Sequence, residues 1–352
     1  MVEKGKDGSA AHPRLLRWWW DDPLDPGRMR PGAPEVRALI ERFASGSTVA
    51  DLGGMMSTNL RLDATNELLR VHQPFVSRSR LLALQDLRRH LDAEGVKTPV
   101  AIVRDGATMF RCRDRWAELE PWIAHRRLEP SVQAYAWLFA EMGTVHRILG
   151  NYQRPISRPV VATAATPAAL RRWIIATERT VANDPDAAAI VDRVHGLART
   201  LHRQWPDTRS LPAQVVHGDV RLSSICVALD GGTVVFDVGF AAVRPRVHDL
   251  AYALVFMVRA LHGDAAADEF AWDEVPRLIE AYEASAAVRL AEAERRAIVP
   301  LAVAITLYHV AIAGVTEAPE AMARNYAGIV DLGAWLLAHP TAWHEPVRAD
   351  RG

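Results

Sequence analysis

The sequence predicts an α+β chain in two lobes, a small β-rich N-terminal lobe and a larger helical C-terminal lobe. Three observations predict it. At 352 residues the chain exceeds the roughly 100–200 residues usual for one domain. Residues 47–112 read as short strands around a single helix. From Ser131 onward apolar stripes at helical spacing dominate, broken once by a strand-like run over residues 213–242. The expected division is an extension over 1–35, an N-terminal lobe over 36–122 ending in a hinge near 116–123, and a helical lobe over 123–352.

The extension is rich in Pro, Gly and Arg around Trp18-Trp19-Trp20 and reads as a strap packed on the surface, since disordered tails are poor in aromatics. Ser47 to Leu52 leads into Gly53-Gly54. Asn59–Leu62 and Glu67–His72 then read as paired strands turning at Asp63–Asn66. Leu81, Leu84, Leu87 and Leu91 recur at three and four residues, which predicts a helix over 79–91 closed at Gly95. Pro99–Val103 and Ala107–Cys112 suggest a hairpin turning at Asp105-Gly106. Trp116–Ile123 lacks periodicity and reads as the connector, with the side chains of Glu118 and Glu120 in solvent.

In the second half, Ser131 is placed to cap a helix whose stripe runs Val132, Tyr135, Leu138, Phe139, Met142, Val145 and Leu149. A second stripe runs from Ile190 to Leu201, and the chain after Asp249 is helical to about residue 338. Between them Val215-Val216, Ile225–Leu229 and Thr233–Asp237 are short strands, the last two joined by the turn Asp230-Gly231-Gly232.

Lys plus Arg and Asp plus Glu are both 42, so no bulk charge draws the chain to nucleic acid or anionic lipid. Cys112 and Cys226 lie far apart, with neither zinc spacing nor a disulfide framework. No targeting segment or membrane span is legible, and a cytoplasmic location is expected. Chemistry is sought in the strand-like run. Asp219 follows one strand and Asp237 ends another; a hairpin between them brings the carboxylates together, and two adjacent carboxylates favour a divalent cation such as the Mg²⁺ that accompanies ATP.

His217-Gly218-Asp219, Asp237 after Val234-Val235-Phe236, and His248-Asp249-Leu250-Ala251 together resemble the aminoglycoside phosphotransferase and choline/homoserine kinase family. Leu52-Gly53-Gly54 with Asn59, the strand Leu68–His72 and Gly143–His146 extend the resemblance over residues 45–260. It implies a protein-kinase-like bilobal fold that moves the γ-phosphate of ATP, or GTP, to a hydroxyl of a small molecule. By the same resemblance Asp219 orients the acceptor hydroxyl, Asp237 holds Mg²⁺, and Arg70 contacts phosphate oxygens. Main-chain N–H groups around Gly53, Gly54 and Ser57 cover the phosphates, and backbone groups at Glu118 and Leu119 meet the base. His217 and Asp249 support the loop structurally.

The pattern departs in three places. The metal-ligating Asn is here Ser224, whose hydroxyl is a shorter ligand. The strand lysine is Arg70. The helix over 79–91 has no Glu facing that strand, Gln85 and Asp86 being nearest. An antibiotic of the aminoglycoside type leads as acceptor; a choline- or homoserine-like metabolite, or a binding protein without turnover, are the alternatives. A cationic acceptor would want carboxylates, and Asp264, Asp268, Glu269, Asp273 and Glu274 form the best acidic run. The sequence points to no protein partner.

Overall fold

A computed structural model describes residues 28–53, 57–159, 163–263, 265–316 and 318–341; the Trp triplet, Gly54 and Asp264 lie outside them. The chain begins with helix α1 (Pro34–Ala44), whose proline sits in the first turn, where no N–H is needed. Five strands follow: β1 (Val49–Asp51), β2 (Thr58–Leu62), β3 (Glu67–Val71), β4 (Phe110–Cys112) and β5 (Arg115–Pro121). They form one antiparallel sheet in the order β1-β2-β3-β5-β4, with helix α2 (Arg78–Ala93) between β3 and β4 in the chain.

The two faces of this sheet differ because the side chains alternate. Leu60, Leu62, Leu69, Val71, Ala117 and Leu119 pack with Val36 and Leu39 of α1 into a small core of their own. The opposite face carries Arg70, Glu118 and Glu120 toward α2. The leucines of α2 belong instead to the large core of the second half, together with Leu138 and Phe139. The helix assigned by its place in the sequence to the N-terminal lobe is therefore packed on the C-terminal one.

Two expectations for this region are corrected. Residues 99–103 form no strand: Asp105 and Gly106 do turn the chain, both at positive φ, but close only the single bridge Arg104–Ala107. The partner of β4 is β5, joined through Arg113 at φ 59°. The left-handed residue that tight hairpins need is there an arginine, which carries no turn signal. Nor is 116–123 a connector. Residues 115–121 are the strand between β3 and β4, and Glu118 and Glu120 are buried rather than solvated.

Past β5 the chain makes β6 (His125–Arg126) and helices α3 (Val132–Gly150), α4 (Pro167–Val181) and α5 (Pro185–Gln204). Ser131 caps α3 by accepting from the Ala134 amide at 3.1 Å. Strands β7 (Ala213–Val216), β8 (Ile225–Ala228), β9 (Thr233–Val235) and β10 (Ala242–Pro245) follow, pairing as β7 with β10 and as a ladder β6-β8-β9. Helices α6 (Val247–His262), α7 (Val275–Ala286), α8 (Glu292–Ala311), α9 (Pro319–Asn325) and α10 (Ala327–Ala338) complete the fold. The architecture is the mixed α+β class expected, a β-sheet region followed by a helical one. Among the described residues no helix is long and apolar enough to cross a membrane.

Helices α3 and α7 meet backbone to backbone at Gly143, where an added Cβ would lie 2.5 Å from the Tyr282 carbonyl oxygen. Gly143→Ala is therefore expected to cost about 1–3 kcal/mol through overpacking. Gly150→Ala, on the same helix but 3.5 Å from the Gln214 side chain, should cost less. Urea unfolding midpoints of the two variants would check the order.

Candidate active site

The site is built on the loop 217–224, which leaves β7 as the apolar run ends. Gly218 has φ +85°, and a Cβ there would sit 2.5 Å from the Phe240 carbonyl oxygen. Only glycine fits. The loop is anchored by Asp249 in the first turn of α6, a fully buried carboxylate. It accepts from the amides of His217 at 2.8 Å and Gly218 at 2.9 Å. His146 Nε2 at 3.0 Å and His248 Nδ1 at 3.2 Å donate to it as well.

The other nitrogen of each ring is also engaged: His146 Nδ1 meets the Tyr282 hydroxyl at 3.0 Å, and His248 Nε2 accepts from Arg244. Burial alone would raise the Asp249 pKa. The hydrogen bonds and charge of His146 and His248 outweigh it and hold the carboxyl well below its ordinary range. Burial and the positive charge of Arg244 push His248 down.

One imidazole links the backbone at Asp219 to the backbone just before Asp237. His217 Nδ1 accepts from the Asp219 amide at 3.2 Å, so Nε2 carries the proton and donates to the Phe236 carbonyl at 2.7 Å. That bond fixes the peptide leading into Asp237. Asp237 itself sits at φ 54°, a conformation that aspartate tolerates better than most residues. Asp219 Oδ1 lies 2.8 Å from Arg221 Nε.

Ser224 is buried and its hydroxyl is consumed by the loop, donating to the Asp219 carbonyl at 2.8 Å and accepting from the Arg221 amide at 2.9 Å. The position expected to ligate a metal acts here as a turn cap. A serine is too short to hold this turn and also reach outward.

The strand–helix ion pair takes an unexpected form. Arg70 donates through Nε to Glu120 at 3.2 Å and through Nη1 to Asp237 at 3.3 Å. From α2 comes a second arginine rather than a glutamate: Arg88 bridges Glu120 and Glu118, the latter at 2.5 Å. His72 at 2.8 Å and Gln85 at 2.8 Å complete the shell around Glu118. Burial would raise the Glu118 carboxyl, but Arg88 and His72 hold it well below the carboxylate range. Two cations thus face two anions under the sheet.

Glu118 and Leu119 do not offer backbone groups to a base, as expected from a connector. Both stand inside the ladder, paired with Arg70 and Leu69 of β3, and the Leu119 carbonyl already accepts from the Ile102 amide. Gly53 does sit at the turn of the first hairpin with φ +77°, held by Asn59 Nδ2 on its carbonyl at 3.1 Å, with Ser57 at the other side of the turn.

A single carboxylate suits Mg²⁺ bound chiefly through phosphates and water. Asp237 fits that need, since its side chain is 54% exposed and pairs with Arg70. No cluster of three metal-binding side chains is present among them. The acidic run falls in short turns (Ala267–Glu269 and Trp272–Glu274), where Glu274 pairs with Arg277. A cavity of about 560 Å³ behind β5, lined by Asp92, Lys97, Trp122 and Asp230 among others, contains none of the candidate residues.

Sequence reasoning missed Arg88, Glu120 and Arg221. For Arg88 and Glu120 a signal existed, because Arg88 follows Gln85 on the same helical face and Glu118 and Glu120 share one strand face.

A family model described as the phosphotransferase enzyme family (APH) matches residues 52–293. A search of the curated proteins gives no significant match. Among solved structures, a microcompartment-associated aminopropanol kinase superposes with TM-score 0.63 at 16% identity, covering 86% of this chain and 97% of the other. An amicoumacin kinase in complex with AMP-PNP, Ca²⁺ and its ligand gives 0.60 at 16%, over 85% and 96%. An aminoglycoside phosphotransferase from Alicyclobacillus acidocaldarius gives 0.56 at 13%, over 90% and 100%.

Removing one member of either buried cluster strands the others. Arg88→Met is expected to lose about 3–5 kcal/mol in denaturant unfolding at pH 7. Asp249→Asn is expected to lose a similar amount there. Because the folded Asp249 pKa is depressed, its contribution is complete above the unfolded value of about 4 and fades as pH falls below it. The stability gap between wild type and Asp249→Asn should narrow in acid; a gap constant with pH would contradict the assignment.

Proposed function

The chain belongs to the phosphotransferase enzyme family, and on that premise we propose that it transfers the γ-phosphate of ATP or GTP to a hydroxyl of a small molecule with Mg²⁺. The observation that carries the reading is the His217 imidazole, which ties the amide of Asp219 to the peptide preceding Asp237. One rigid ring sets the acceptor-side and metal-side carboxylates relative to each other.

Asp219 receives the acceptor hydroxyl and takes its proton as the new O–P bond forms and the bond from the γ-phosphorus to the bridging oxygen breaks, with the nucleoside diphosphate leaving. Arg221, 2.8 Å from it, holds the carboxylate to one side. Asp237 is the residue that would hold Mg²⁺, which when bound neutralises charge on the β- and γ-phosphates. Arg70 is already braced by Glu120 and presents its remaining donors toward the phosphate side. The turn bounded by Gly53 and Ser57 covers the phosphates, with the Gly53 N–H held by the Asp51 carboxylate at 2.9 Å. With the acceptor hydroxyl and phosphates held this way, rate comes from positioning and charge neutralisation rather than covalent chemistry.

The solved neighbour carrying AMP-PNP and Ca²⁺ supports a nucleotide with a divalent cation for this chain. Ser224 offers no second ligand without breaking its own turn, which favours a site working through Asp237 alone. Residues 1–35, 36–122 and 123–352 remain the proposed extension, nucleotide-covering lobe and acceptor lobe, with the hinge moved to the segment after Pro121.

Asp219→Ala should lower Mg²⁺-dependent γ-phosphate transfer to pooled hydroxyl acceptors by roughly 100-fold or more while nucleotide binding stays intact. Asp237→Ala should instead abolish Mg²⁺-dependent nucleotide binding. Calorimetry beside a coupled turnover assay separates the two, and undiminished transfer by Asp219→Ala would overturn its role.

A further inference from the structure

The wall beyond Asp219 is cationic and aromatic. Tyr252, Phe256 and Arg259 follow one another at four- and three-residue spacing along one face of α6. Arg221 leans on this face, its guanidinium carbon 4.0 Å from the Phe256 ring centre and 5.4 Å from that of Tyr252, whose hydroxyl it also contacts. Farther along, Arg259 lies 5.3 Å from the centre of the Tyr326 ring, and His309 of α8 stacks on that ring at 4.3 Å and 8°.

The polar atoms of this cluster are incompletely used. Arg259 Nη1 and His309 Nδ1 are both out of contact with solvent, and neither has a hydrogen-bond partner among the described residues. Burial, then the charges of Arg221 and Arg259, push His309 down to about 4, so at neutral pH the ring adds no charge. Arg221 takes the carboxylate of Asp219, which must face the acceptor hydroxyl, and Arg259 pairs with no carboxylate among the described residues. Buried donors without partners are costly and normally find one. The cation–π contacts hold the guanidiniums in place and supply no counter-charge.

We propose that the acceptor is an anion: a small hydroxy compound bearing a carboxylate, which Arg259 and His309 bind while its hydroxyl reaches Asp219. A planar carboxylate matches the fork of a guanidinium, and the rings of Phe256 and Tyr326 face the carbon skeleton. An ammonium-bearing acceptor meets two like charges and a wall without free carboxylates. The inference rests on the phosphotransferase reading for the identity of the site, and it departs from the aminoglycoside-type acceptor that the sequence resemblance favours.

The test uses the full chain and two readouts. Thermal unfolding and calorimetry without nucleotide measure binding of three pools: hydroxy carboxylates, their primary amides, and amino alcohols of matched length. Turnover with Mg²⁺–ATP is measured on the same pools. The expected result is binding and turnover with carboxylates alone. Arg259→Met should weaken carboxylate binding roughly 10- to 100-fold, with Arg259→Lys recovering part of it and His309→Gln providing an independent weakening. Asp219→Ala should still bind the carboxylate while losing turnover.

Turnover of amino alcohols or amides without carboxylate binding would overturn the anionic acceptor and leave the kinase reading standing. Carboxylate binding that depends on Arg259, with no phosphate transfer to any pool, would support the anion site and count against the kinase reading. Carboxylate binding unchanged in folded Arg259→Met and His309→Gln would overturn the site assigned here.

Discussion

The arrangement on which the nucleotide side depends is the buried set Arg70, Arg88, Glu118 and Glu120. Charges removed from water cost several kcal/mol each unless paired at close range, so the sheet and α2 can approach only in the register that pairs them. Because the leucines of α2 are packed in the large core while Arg88 reaches under the sheet, this one helix fixes the sheet against the rest of the molecule. Arg70 extends the set to Asp237 across the cleft. An apolar interface could slide; a matched set of two arginines and two glutamates cannot slide without leaving a charge alone.

A second buried carboxylate, Asp249, does for the loop what those charges do for the sheet. Its oxygens hold two consecutive backbone amides, which forces Gly218 into a conformation open only to glycine and sends Asp219 outward. The histidines around it have both ring nitrogens committed, which fixes the orientation of each ring against the carboxylate. The apparent weakness of Ser224 as a ligand belongs to the same economy of the loop. Its hydroxyl closes the turn that Asp219 begins, and the work of holding a metal falls to Asp237.

The motifs legible in the sequence were those whose chemistry is local. The loop at His217–Asp219, the turn at Asp230–Gly232 and the leucine spacing of α2 each depend on neighbours within a few residues, and the structure has them where expected. What was not legible depends on pairing across the fold. Helix α1 was passed over although Val36, Leu39 and Phe43 keep helical spacing. β5 reads as a connector because two glutamates interrupt its apolar residues; alone they look solvated, and only Arg70 and Arg88, thirty or more positions from either in sequence, make them core residues. The same blindness hid the strand–helix ion pair. The search was for a glutamate on α2, whereas the helix supplies the arginine and a neighbouring strand supplies the acid.

That exchange also bears on how the two sides of the cleft divide their work. On the nucleotide side Arg70, Arg88, Glu118 and Glu120 are paired with one another inside the protein, so their charges are matched before anything binds. On the acceptor side Arg259 and His309 retain unpaired polar atoms, and the missing partner must come with the ligand. A closed electrostatic account on one side and an open one on the other suits an enzyme whose donor is invariant and whose acceptor is selected. The donor site needs rigidity, because phosphoryl transfer gains most from fixed alignment. The acceptor site gains selectivity from its open charge, since a ligand of the wrong sign leaves Arg259 desolvated and unpaired, a penalty that contact with Phe256 or Tyr326 does not offset.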